Sequence, residues 1–382
     1  MADQPLHPVS RRHLDEMTGE LGTWEHATGT TPERSHGYCT DDVARALAVD
    51  LLHARELGWQ AVRHGAWRSL RFLRDAWSPA RGRFRNRRDV AGAWQDDEGT
   101  EDTQGRAFLA LGLALREPAD QAFTADARML FATALPAIGR LHAVRPIASC
   151  IVGCDAALRG DALAAELRDE AMAALRHLTG RLRRAFPAGD GSAAWPWPEA
   201  QLTYENALLP HALVVGGDRG GDAAASALGF RVLEWLAAVE RSPDGWFSPI
   251  GNQGWWRRDG TRARFDQQPI EATTHILACE AALEVSSDPR WRAEAERAYG
   301  WFLGDNDSRL QVAEPSTGGC HDGLGPTRVN VNQGTESTLM WLTALEHMRA
   351  LRRPVARRDA DRMPAGSPAR TPAAGATRMT TR

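Results

Sequence analysis

The sequence predicts an all-α fold, an (α/α)6 barrel in which six inner helices are sheathed by six outer ones. Three observations point there. Helix-period patterning dominates and convincing alternating strands are scarce. The helices fall into consecutive pairs, and the two members of each pair differ. One member is rich in small residues and apolar on most sides, which marks a buried helix; the other is charged along one face, which marks an outer one.

The elements follow in order. A short helix near 11–20 leads in. Residues 41–57, with "VARALAVDLL", form the first inner helix, and 60–77, with "AVRHGAWRSLRFLRDAW", its arginine-studded partner. "GRAFLALGLAL" marks the second inner helix at 102–116, followed by an outer one at 122–142. "IASCIVGCDAAL" places the third at 146–159, before 161–185. "ALLPHALVV" places the fourth at 204–216, before 222–240. "ATTHILACEAAL" places the fifth at 270–286, before "RWRAEAERAYGWFLGD" at 288–304, and "TLMWLTALEHM" ends the series at 335–351. The inner starts recur at irregular intervals of roughly 45–65 residues, which favours a closed ring over a regular solenoid. Residues 1–351 are therefore expected to form one catalytic domain. The segment 352–382 is rich in Pro, Ala, Arg and Thr, with almost no large apolar side chains, and is expected to be a disordered tail.

Composition excludes several function classes. The 382 residues carry a net charge of −3, without the one-sided basic surplus that nucleic-acid binding needs. No window approaches 18 uninterrupted apolar residues, and the N-terminus lacks the apolar core of a secretory signal, so neither a membrane partner nor export is expected. Cys39, Cys150, Cys154, Cys279 and Cys320 match no zinc or disulfide framework, which suits a cytoplasmic protein with reduced thiols. No cofactor is expected. "VVGGDRGGD" follows a helix rather than a strand, so it is no nucleotide fingerprint. No GxSxG elbow occurs. Glu271 and His275 stand one turn apart, but without HExxH or a third ligand they imply no metal.

Five of the six inner helices open on the same signature: "YCTDDVARAL", "EGTEDTQGRAFLAL", "LTYENALLPHAL", "QQPIEATTHIL" and "NQGTESTLMWL". Each sets a carboxylate at the helix start beside Thr, Tyr, Asn or Gln; the third inner helix, near "RPIASC", is the exception. Parallel inner helices would gather these acids into one funnel. Helix capping accounts for any one of them, but not for their recurrence with amide and hydroxyl neighbours. Glycoside hydrolysis needs two carboxyl groups, one protonated and one ionised, and crowding with burial separates their pKa values. Asp42, Asp102, Glu205 and Glu271 are the expected catalytic candidates. Asp41 and Glu101 suit caps that also face a sugar.

Long aromatic loops lead into these helices, at 89–99, 191–201, 244–269 and 314–334. Loops of about 20 residues inside a compact fold are usually functional. Sugar faces stack on flat rings while their hydroxyls pair with acids and amides. The expected sugar contacts are His36, Tyr38, Trp94, Trp195, Trp197, Tyr204, Asn206, Trp255, Trp256, Gln268, His275, His321, Asp322, Gln333 and Glu336, with an oligosaccharide as partner. A competing expectation is a sugar 2-epimerase-like isomerase, with His211, His275 and His321 moving a proton beside a carbonyl. A non-catalytic sugar-binding barrel is a third. A lyase acting on acidic polymers would want more Arg and Lys in the cleft.

Over roughly residues 10–351, the phrases "HGYCTDDVARAL", "EDTQGRA", "WPWPE…LTYENALLPHAL" and "EPSTGGCHDGL" resemble the (α/α)6-barrel carbohydrate-active enzymes. Within them the chain is similar to a bacterial glycosidase-like group often labelled glycosyltransferase and found near mannoside phosphorylases. The resemblance specifies a group rather than an activity, and it assigns no catalytic residue; the expected activity is that of an inverting glycoside hydrolase acting on an oligosaccharide of mannose or glucose. A nucleotide-sugar transferase of the usual kind needs Rossmann-like halves, and the chain shows none.

Overall fold

The computed structural model describes residues 6–187 and 195–353. The tail expected from 352 onward lies, after its first two residues, outside that range, as do residues 188–194 of one aromatic loop. The helices are α1 (Arg12–Glu16), α2 (Thr40–Leu57), α3 (Trp59–Ala76), α4 (Glu101–Arg116), α5 (Gln121–Ala134), α6 (Val144–Arg159), α7 (Ala165–Ala185), α8 (Leu208–Gly220), α9 (Ala223–Val239), α10 (Pro269–Ser286), α11 (Arg290–Phe302) and α12 (Thr335–Arg352). Helices α2, α4, α6, α8, α10 and α12 each pack on the next, and α12 packs back on α2, so the inner ring is closed. The odd-numbered helices lie outside it. The chain has the (α/α)6 barrel fold.

Small residues make the ring tight. A Cβ on Gly112 of α4 would stand 2.1 Å from the carbonyl oxygen of Gly153 on α6, so these two helices meet backbone to backbone and tolerate only glycine there. The outer helices bury a single stripe, as α3 does with Val62, Ala66, Leu70 and Leu73. At the α11–α12 seam Trp341 is sealed between Tyr299 and Phe302, with ring centroids 5.7 and 5.3 Å away.

Four helices differ from expectation by four residues or more at a boundary; the outer helix expected at 161–185 starts at Ala165. The outer helix expected at 122–142 ends at Ala134 and tightens into a 3₁₀ turn over Leu135–Arg140, because Pro136 lacks the N–H an α-helix needs. The leading helix shrinks to a single turn. The fourth inner helix starts at Leu208 rather than 204, which bears directly on the site.

Short two-residue antiparallel pairs pin the loops. Tyr38–Cys39 pairs with Arg87–Arg88 ahead of α2. Gln201–Leu202 pairs with Trp256–Arg257, tying the approach to α8 to the approach to α10.

Candidate active site

Five of the six inner helices, together with the segment leading into α8, bring polar side chains to one mouth. Arg45, on the second turn of α2, pairs with Asp42 at 3.0 Å and with Glu336 of α12 at 2.8 Å. Arg106 of α4 reaches Asp41 at 3.4 Å, Asp102 at 3.9 Å and Glu205 at 2.7 Å. The Tyr204 hydroxyl donates to Asp102 at 2.5 Å. Arg145 of α6 donates to the Tyr204 carbonyl at 2.5 Å and to Glu199 at 2.8 Å, with its guanidinium 4.6 Å from the Tyr204 ring centre. Carboxylates thus outnumber cations. The Arg106 Nε and Asp41 Oδ1 atoms are buried without a hydrogen-bond partner.

Glu205 is set by backbone rather than by helix. Its φ is +49°, a left-handed conformation that costs a non-glycine residue about 1–2 kcal/mol. The Glu271 carboxylate offsets this: it accepts the Glu205 N–H at 2.6 Å, the Asn206 N–H at 3.3 Å and the Asn206 side-chain amide at 3.1 Å. An intramolecular hydrogen bond contributes about 0.5–1.5 kcal/mol net, so the three together support the bend.

The same acids are driven to opposite protonation states. Burial raises Asp42, only 3% exposed, to about 7, against the pull of Arg45 and with help from Glu336. Burial and nearby Glu240 raise Glu271, 2% exposed, to about 8, despite the amides it accepts. Burial also lifts Glu205, but Arg106 and Arg45 outweigh it and hold this carboxyl below its ordinary value. Near neutral pH the mouth therefore holds a protonated and an ionised carboxyl group together, the separation that burial and fixed charges produce.

The expected site residues divide. Asp41, Asp42, Asp102, Tyr204, Glu205 and Glu336 meet in the mouth, and the Trp255 ring lies 6.5 Å from that of Tyr204. Glu271 lies beneath them. Asp41 does not act as the expected cap: Cys39 occupies that position on α2, and Asp41 turns to Arg106. Glu101 does cap, but across the ring seam, accepting the His142 and Ala143 amides at 2.8 Å ahead of α6.

Several expected sugar contacts pack against other parts of the protein instead of meeting in this cluster. Tyr38, 2% exposed, stacks on Trp24 at 4.2 Å in a satellite core. Trp195 and Trp197 are buried and, with half-buried Trp256, pack on Trp235 of outer helix α9. A loop aromatic buries more surface against that outer wall than in a wet mouth. Trp94 packs edge-on to Phe72 under Arg88. Asn206 is sealed in its own bend. His275 is fully buried, 3.2 Å from Glu240.

The remaining expected contacts lie on the segments leading into α2, α10 and α12. His36 is exposed beside Glu33 at 3.2 Å. Gln268 occupies the N-cap position of α10 without a capping bond. His321 lies 3.8 Å from Glu314. Asp322 accepts the Gly334 amide at 2.7 Å just ahead of α12. Gln333 is buried, with its carbonyl 2.8 Å from His13 Nε2.

Sequence reasoning missed the arginines. A signal was there: Arg45 and Arg106 follow Asp42 and Asp102 by three and four residues, one helical turn. Arg145 opens α6, which has no acid in its first turn.

No protein-family model matches the chain, and no curated protein matches it in sequence. Solved structures do match. A D-mannose isomerase has a TM-score of 0.64 at 10% identity, covering 89% of this chain and 96% of its own. The cellobiose 2-epimerase of Spirochaeta thermophila has 0.65 at 14%, covering 88% and 92%. The GH76 α-mannanase of Bacteroides thetaiotaomicron has 0.61 at 10%, covering 92% and 96%. These neighbours are (α/α)6-barrel carbohydrate-active enzymes. At such identities the likeness is one of fold, and it joins isomerases, epimerases and a glycosidase alike. Among the described residues no helix is long and apolar enough to cross a membrane.

Proposed function

We propose that the protein is an inverting glycoside hydrolase acting inside the cell on an oligosaccharide of mannose or glucose, with the 1–351 barrel as its catalytic domain. The observation that carries this reading is the split mouth: Asp42 raised to about 7 by burial, and Glu205 held low by Arg106 and Arg45. In this reading Asp42 donates a proton to the glycosidic oxygen as the bond to the anomeric carbon breaks. Glu205 takes a proton from the water that attacks that carbon from the other face. Asp42 belongs to α2 and Glu205 to the approach to α8, three places apart in a ring of six. That placement suits the separation of about 6.5–9.5 Å that an inverting pair needs for its water. Asp41, Asp102 and Glu336 remain to bind hydroxyls, with Tyr204 orienting Asp102.

The histidine-driven alternative has less support. Burial pushes His275 down to about 3 and His211 to about 4, and His275 faces Glu240 rather than the carboxylate mouth.

The test is proton NMR of the protein with a panel of mannose- and glucose-linked oligosaccharides from the first minutes. New anomeric signals, first appearing in the configuration opposite to the cleaved bond, are expected. Solvent deuterium entering C2 of a free sugar without new reducing ends would replace the reading with epimerisation.

A further inference from the structure

We infer that Glu271 is a positioning residue that holds residues 204–207 out of helix α8, so that Tyr204 and Glu205 are presented to the mouth together. Helical periodicity in "YENALLPHAL" runs through these positions, yet the helix begins at Leu208. In a regular helix, successive side chains diverge by about 100°. Here the left-handed residue at 205 breaks that relation. The Tyr204 hydroxyl reaches Asp102 at 2.5 Å while the next side chain, Glu205, reaches Arg106 at 2.7 Å.

The bend is built from two halves. Asn206 closes on Thr203, accepting its N–H at 3.2 Å and donating to its carbonyl at 2.8 Å. Glu271 then takes the two amides this leaves pointing inward, those of Glu205 and Asn206. With both oxygens committed to the backbone and side-chain amides of the 205–206 bend, Glu271 is placed to shape Glu205. Glu271 thereby leaves the set of expected acid/base groups and acts through its neighbour.

The kinetic consequence rests on the hydrolase reading; the structural one does not. The experiment compares wild type with E271A and E271Q in the full chain, by amide exchange at residues 205 and 206, by crystal structure, and by kcat and KM on an oligosaccharide that wild type cleaves. Expected for E271A are exchange at both amides at least about tenfold faster, a helix starting before Leu208, and kcat lower by about 10²–10⁴-fold with little change in KM. E271Q, which keeps one carbonyl acceptor, recovers part of both effects. Should E271A fail to fold, E271Q against wild type carries the same comparison. Unchanged geometry at 204–207 overturns the inference, and with a collapsed kcat it makes Glu271 a reacting group instead. If wild type cleaves nothing on the panel, the hydrolase reading fails, while exchange and geometry still decide the role of Glu271.

Discussion

The two ends of the barrel use the same residue types to opposite effect. Toward the C-terminal ends of the inner helices, several buried acids are met closely by basic side chains. Glu117 takes Arg55 in a fork at 2.7 and 2.5 Å and Arg116 at 2.7 Å. Arg159 spans Asp155 at 2.6 Å and Glu284 at 2.7 Å. Glu280 pairs with His347. Burial raises Glu117 and Glu280, but these partners prevail and hold both at about 2. At the N-terminal mouth, several acids share Arg45 and Arg106, and burial is only partly answered: Asp42 rises to about 7. Arginine in a last turn complements the helix dipole and satisfies its acid partners. Acids in excess at first turns leave a proton to be donated. On the proposed reading, one end stabilises the barrel and the other carries the chemistry.

The largest expected effects break the mouth. D42N and E205Q each lower kcat on a cleaved oligosaccharide by about 10²–10⁴-fold, with far-UV circular dichroism and thermal midpoint close to wild type. An effect below about tenfold for either removes it from the acid/base pair.

The opposite end responds in stability instead. E117A leaves Arg55 and Arg116 without their carboxylate. Both are partly solvated, with side-chain exposures of 32% and 26%, so a loss of about 2–3 kcal/mol by urea unfolding is expected rather than the full penalty of a buried pair. kcat of the folded protein stays within about twofold.

A pH series sharpens the contrast. Burial keeps Asp42, Glu240 and Glu271 protonated to about 7, 8 and 8 in the folded state, well above unfolded carboxyls. Their contribution is full below about pH 4, where the unfolded carboxyls are protonated too, and is lost progressively until the pH passes 7 to 8. Buried His53, His211 and His275, pushed down to about 3, 4 and 3, oppose this only below about pH 6.5, where the unfolded imidazoles gain protons. The thermal midpoint should therefore fall between pH 6.5 and 8.5, and E240Q should flatten that fall. A midpoint that rises across this interval contradicts the assignment. Smallest of all, Y204F removes one hydrogen bond to Asp102 and should lower kcat by about tenfold at most.

Much of the contrast was legible in the sequence. The buried–amphipathic alternation gives the ring, and the recurrent acids at inner-helix starts gave Asp41, Asp42, Asp102, Glu205 and Glu336. The aromatic rim was not legible. Periodicity cannot say which way a loop folds, and Trp195, Trp197 and Trp256 turn outward to α9, where they bury more surface. The bend at Glu205 was hidden for another reason. Residues 204–207 follow the helical pattern, and the carboxylate that diverts their amides lies 66 residues further along the chain.

The most direct test of the account needs no substrate. Carboxyl ¹³C NMR titration of protein labelled at Asp and Glu, with D42N, E205Q and E117Q supplying assignments, follows both ends at once. Asp42 is expected to titrate near 7, Glu205 below the ordinary carboxylate range and Glu117 at about 2. An Asp42 carboxyl already ionised at pH 5 would leave the mouth without its acid, and the division between the two ends would not stand.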